Sequence, residues 1–186
     1  MRVCRETETA LNLLVTGRPG SGKTTVIERI IALLPFDTAT GFVTREVREG
    51  GVRRGFAIQT LDGRTAPLAC VGGGEPRVGR YHVRLDGLEA IGVPALAPRR
   101  GVGVIVADEI GKMECLSHRF CDAVRCALDA PTHVVGTIAG QGGGFIAEVR
   151  RRSDVRIMEV TVRNRDDLPA TIVATLGFDA GGRDER

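Results

Sequence analysis

The segment Gly17-Arg18-Pro19-Gly20-Ser21-Gly22-Lys23-Thr24 constrains this chain more than any other feature, because it matches G-x-x-x-x-G-K-[ST] at every fixed position. The apolar run Leu11 to Thr16 precedes it and reads as a strand. Val26, Ile27, Ile30, Ile31 and Leu34 follow at helical spacing and predict a helix over Thr24 to Leu34, ended by Pro35. Strand, glycine-rich loop and helix in that order make a phosphate cradle. Glycines let successive backbone N–H groups turn inward around phosphate oxygens, while the positive end of the helix dipole points at the same charge. Lys23 is then expected to reach the β- and γ-phosphates, Thr24 to offer its hydroxyl to Mg²⁺, and Thr25 to contact the α-phosphate. The whole loop from Gly17 through Arg18, Pro19, Gly20, Ser21 and Gly22 to Thr25 is the expected nucleotide-binding segment.

A second acidic element completes such a site. Val104 to Ala107 is an apolar run closing on Asp108-Glu109, and a buried strand delivers an acidic pair to the sheet edge where phosphates lie. Asp108 is expected to hold Mg²⁺ and Glu109 to orient or deprotonate an attacking water. Ile110 and Gly111 follow as nucleotide-contact positions. Thr137, near the end of the apolar strand His133 to Ile138, is a candidate sensor of the γ-phosphate or a buried strand-end hydroxyl. Only Lys23 and Lys112 are lysines among 26 basic residues, so arginine is the default cation here. The loop needs a compact ammonium on a flexible stem, which explains Lys23, and the same reasoning makes Lys112 a catalytic candidate. Arg18, Arg80, Arg151 and Arg165 are possible charge stabilisers. Asn164-Arg165-Asp166-Asp167 faintly matches the N-K-x-D base-reading signature, with helix capping by Asn164 the favoured alternative.

The remaining pattern predicts an α/β protein with a mostly parallel sheet flanked by helices. Phe42 to Arg48, Val52 to Thr60 and Arg64 to Ala69, separated by glycine turns, predict an antiparallel meander after the first helix. Residues 71–76 read as a loop, and Asp86 to Leu96 as a weak helix interrupted by Pro94. Helices are expected over Ser117 to Leu128, Phe145 to Arg151 and Asp166 to Leu176, with a strand over Arg156 to Val162. Residues 1–179 form one domain in this reading, and Ala180 to Arg186 a mobile tail.

Composition narrows the function classes. The formal charge of +3 is too near balance to indicate a nucleic-acid or membrane partner, and the triplet Arg150 to Arg152 reads as a solvated helix face. Five cysteines without a C-x-x-C pair argue against a disulfide framework or zinc site, and the three histidines lack metal spacing. The first apolar run is too short for a signal-peptide core, and no later run reaches membrane-spanning length, so a cytoplasmic protein is expected.

Taken together, Gly17 to Thr25, Gly41-Phe42-Val43-Thr44, Gly55-Phe56, Val78-Gly79-Arg80-Tyr81, Asn164-Arg165-Asp166 and, most specifically, Asp108-Glu109-Ile110-Gly111-Lys112-Met113-Glu114 resemble the thermophile and cancer-related NTPases. The resemblance covers almost the whole chain. It implies a RecA-like sheet in which the strand bearing Thr137 lies between the Gly17 loop strand and the Asp108 strand. It also implies slow hydrolysis of several nucleoside triphosphates to diphosphate and phosphate. Departures from the family pattern stand at Arg45, at Ala107, and at Ala139 with Gly140 to Gly144. A nucleotide or small-molecule kinase and a nucleotide-gated binding module are the alternatives, separated by dependence on an acceptor or on a protein partner. No protein partner is indicated.

Overall fold

The computed structural model describes residues 10–178. The expected tail from Ala180 onward lies outside the described residues. A nine-stranded mixed sheet forms the centre, in the order β5-β6-β4-β3-β2-β7-β8-β1-β9. Its strands are β1 (Asn12–Thr16), β2 (Ala39–Glu49), β3 (Val52–Thr60), β4 (Thr65–Val71), β5 (Arg77–Val78), β6 (Tyr81–Val83), β7 (Val104–Ile110), β8 (His133–Ile138) and β9 (Val155–Glu159). From β2 through β7, β8 and β1 to β9 all neighbours are parallel, whereas β2-β3-β4-β6-β5 is antiparallel. Thr137 therefore sits on a strand flanked by the loop strand β1 and the Asp108 strand β7, as the resemblance implies.

Period-two alternation sorts the core into two layers. On β7, Val104 and Val106 pack with Val26, Ile27 and Ile30 of α1 (Lys23–Leu33) and with Ile172 and Val173 of α6 (Leu168–Thr175). Ile105 and Ala107, one residue out of phase, pack with Phe120 and Val124 of α4 (His118–Leu128) and with Ile146 and Val149 of α5 (Gly144–Arg151). Both faces of the parallel half are thus covered, as its near-continuous apolar strands require.

Several boundaries differ from the sequence expectation for identifiable reasons. The hairpin β5-β6 is unforeseen, because two- and three-residue strands carry too little periodicity to read. Around Pro94 the chain stays helical as α2 (Leu85–Gly87), a π-helical turn Leu88–Gly92, and α3 (Val93–Ala95). The Val93 N–H reaches back to the Leu88 carbonyl, so the last backbone donor before Pro94 is satisfied in a widened turn. The strand expected to reach Val162 stops at Glu159. Asn164 folds the chain there, its side-chain oxygen accepting from the Thr161 N–H at 2.8 Å and its amide donating to the Glu159 carbonyl at 2.9 Å. Asn164 therefore closes a turn instead of capping α6, whose N-cap is Asp167.

Candidate active site

The phosphate loop joins β1 to α1, and two of its glycines are sterically required. A Cβ at Gly17 would lie 2.7 Å from Ser21 Oγ and 2.9 Å from the Val160 carbonyl oxygen. Gly22, the N-cap of α1, has φ 95°, a left-handed conformation that glycine adopts without the Cβ penalty. The first turn of α1 carries no acidic residue, so the positive end of its dipole remains available to a ligand anion. Lys23 Nζ arches across the loop and donates to the Gly17 carbonyl at 3.2 Å. Ser21 Oγ is buried with no partner.

Asp108 occupies the carboxyl side of this cradle and is 2% exposed. Thr137 donates to Asp108 Oδ1 at 2.7 Å, and Thr44 donates to the Asp108 main-chain carbonyl at 2.5 Å. The second carboxylate oxygen, Oδ2, is buried without a partner. Burial raises the pKa of Asp108, opposed by the hydroxyls of Thr137 and Thr24 and the charge of Lys23. Glu109 is half-buried; burial pushes its pKa up, and the neighbouring Lys23 charge pulls it down. Two carboxylates, threonine hydroxyls and an ammonium thus meet at one sheet edge.

A third carboxyl, missed from the sequence as a site residue, lies beneath them. Glu114 is 4% exposed, and burial, reinforced by the charges of Glu109 and Asp108, pushes its pKa up to about 8. A Cβ on Gly111 would stand 2.8 Å from Glu114 Oε2 and 3.4 Å from Glu109 Cδ, so glycine is what lets the two carboxyls approach. Its signal in the sequence was its place at the end of the Asp108 to Glu114 run, which says nothing of burial.

These groups open into a cleft of about 690 Å³. Gly17, Pro19, Gly20, Gly22, Lys23, Thr24, Thr25, Asp108 and Glu109 line it, together with Ala139 and Gly140 of the loop after β8. Its other wall is the β2-β3 hairpin, through Thr44, Arg45, Glu46, Arg53 and Phe56. The remaining expected residues are placed differently. Thr137 is fully buried and touches the site through Asp108. Ile110 packs in the core, and Gly111 lies buried beside Glu114. Arg18 and Lys112 are exposed and do not line the cleft. Arg80 stacks on Tyr81, Arg151 is exposed at the end of α5, and Arg165 lines a small neighbouring pocket with Gly22 and Thr25. Within the basic triplet, Arg152 is no solvated face residue: it donates to Asp129 and Asp154 at 2.6 Å each.

Residues 12–173 match a family model described as NTPase. The chain belongs to this NTPase family. Nucleoside-triphosphatase THEP1 of Thermotoga sp. (strain RQ2) is 43% identical over 173 residues, spanning 92% of this chain and 98% of that protein. The cancer-related nucleoside-triphosphatase of Homo sapiens is 41% identical over 184 residues, covering 88% and 95% of the two chains. Among solved structures, THEP1 from the hyperthermophile Aquifex aeolicus superposes with TM-score 0.80 at 34% identity, covering 89% of this chain and 99% of that one. The solution structure of a human cancer-related nucleoside triphosphatase gives TM-score 0.77 at 37% identity, covering 95% and 100%. The NTPase fold is shared along nearly the whole of each chain, so the cleft lies within a common architecture. Among the described residues no helix is long and apolar enough to cross a membrane.

Proposed function

We propose that the chain hydrolyses nucleoside triphosphates, ATP and GTP among them, to nucleoside diphosphate and phosphate with Mg²⁺ as cofactor. Asp108 carries this reading: its Oδ2 is a buried oxygen without a partner, beside the Thr24 hydroxyl at the mouth of a phosphate loop. A carboxylate and a hydroxyl are hard oxygen donors of the kind Mg²⁺ takes, usually one or two from protein with phosphates and water completing the shell. Thr24 and Asp108 would hold the ion, which when bound neutralises charge on the β- and γ-phosphates. Thr137 keeps the Asp108 carboxylate oriented. The loop N–H groups grip the phosphates, and Lys23 exchanges the Gly17 carbonyl for a phosphate oxygen, a stronger charge-assisted partner. Glu109 orients the attacking water and accepts its proton; the upward push of burial on its pKa brings a carboxylate base closer to working pH.

Purified chain should release phosphate from ATP, GTP, CTP and UTP with Mg²⁺ and no acceptor, and lose that activity in EDTA. Release that requires an added acceptor hydroxyl would instead support the kinase reading. Turnover seen only with a second protein would support a nucleotide-gated module.

A further inference from the structure

We propose that Arg53, on the β2-β3 hairpin, is the arginine that neutralises charge developing on the transferring γ-phosphoryl group; this rests on the hydrolytic reading above. Strand β2 pairs with β7 only from Ala39 to Phe42, then continues to Glu49 beside β3 alone. The hairpin consequently overhangs the carboxyl edge of the sheet where Asp108 and Glu109 stand, and Arg53 lines their cleft. A register shift between Val47 and Arg48 places one extra residue on β3. Strict alternation from Phe56 would have put Arg54 on the Phe56 face; the bulge puts Arg53 there, its guanidinium 5.6 Å from the Phe56 ring centre. Arg54 instead donates to Glu49 at 3.1 Å. Bulges of this kind re-aim side chains beside active sites.

The hydrogen bonds of Arg53 suit it for transfer to an anion. Its Nε is buried without a partner, and Nη2 donates to Glu46. Glu46 also accepts from Arg48 at 2.9 Å and 2.6 Å, so it keeps a cation when Arg53 turns away. Moving onto a phosphoryl oxygen therefore gives an orphaned donor a partner without stranding a carboxylate. Arg45, the other arginine on this wall, pairs with Glu28 and donates to Gln59, and among the described residues no second cation pairs with Glu28.

The test compares wild type, Arg53→Ala, Arg53→Lys and Arg54→Ala, each with thermal melting as a folding check. Single-turnover hydrolysis of ATP should fall about 100-fold in Arg53→Ala, the cost of one preorganised charge-stabilising donor, and less in Arg53→Lys. Affinity for ADP should hold in both, while affinity for ADP with aluminium fluoride, which imitates the transferring group, should fall with the rate. Arg54→Ala should match wild type in all three measurements. Equal loss of ADP and ADP–aluminium fluoride binding, or an unchanged single-turnover rate in Arg53→Ala, would overturn the assignment. If Arg53→Ala does not fold, the same comparison on Arg53→Lys decides. Wild type that fails to hydrolyse ATP at all would overturn the hydrolytic reading itself, a different outcome from an active wild type with an indifferent Arg53.

Discussion

Lys23 shows how a single side chain can be legible from eight contiguous residues. Its ammonium spans the loop to the Gly17 carbonyl, a neutral acceptor that a phosphate oxygen would replace in the proposed reaction. Lys23→Ala should weaken triphosphate binding about 100-fold in calorimetry, the worth of charge-assisted hydrogen bonds to phosphate; unchanged affinity would refute its role. Glu109→Gln separates binding from chemistry, since the amide keeps the shape but cannot take a proton. Single-turnover hydrolysis should drop by about 10²- to 10⁴-fold while Mg²⁺–nucleotide affinity changes little. Equal losses in both would make Glu109 a binding residue only. Lys112 was equally conspicuous in the sequence as one of two lysines, yet it is exposed outside the cleft.

At the scale of elements, local signals located most helices well. Ser117, just before the apolar stripe of α4, accepts from the Phe120 N–H at 3.1 Å as an N-cap and also donates to Glu89 at 2.7 Å. Ser117→Ala should cost about 1–2 kcal/mol in urea denaturation, because it removes the cap and leaves Glu89 without that donor. A loss near zero would mean that water replaces both bonds. The loop strand, the Asp108 strand and the helix after the loop were readable because their periodicity extends over whole elements. The β3 bulge and the π-helical turn were not, since each inserts or widens by one residue and leaves composition unchanged. One residue of register is nevertheless what selects Arg53 over Arg54.

For the whole molecule, withdrawing three acids wholly or partly from water at one sheet edge links stability to pH. Glu114 has a folded pKa of about 8 against an ordinary 4.5, so between those values the folded chain holds a proton that the unfolded chain has lost. Stability should therefore fall as pH rises through that window and level off above it, by up to about 5 kcal/mol from this group. Asp108 and Glu109, also raised, act in the same direction. Glu114→Gln should flatten much of the decline in urea midpoint between pH 5 and pH 8. A variant whose midpoint falls as steeply as wild type would assign the linkage to other groups.

The sequence by itself determined the phosphate loop, the acidic strand end and the α/β class, because each is specified by contiguous residues: backbone conformations open to glycine, a helix dipole, apolar alternation. Tertiary structure alone decided that Thr137 steadies Asp108, that Glu114 is buried beside Gly111 with its pKa pushed up, and that the overhanging hairpin brings Arg53 to the cleft. Those outcomes depend on strand order, on a bulge and on burial, all of which arise from pairings between residues far apart in the chain.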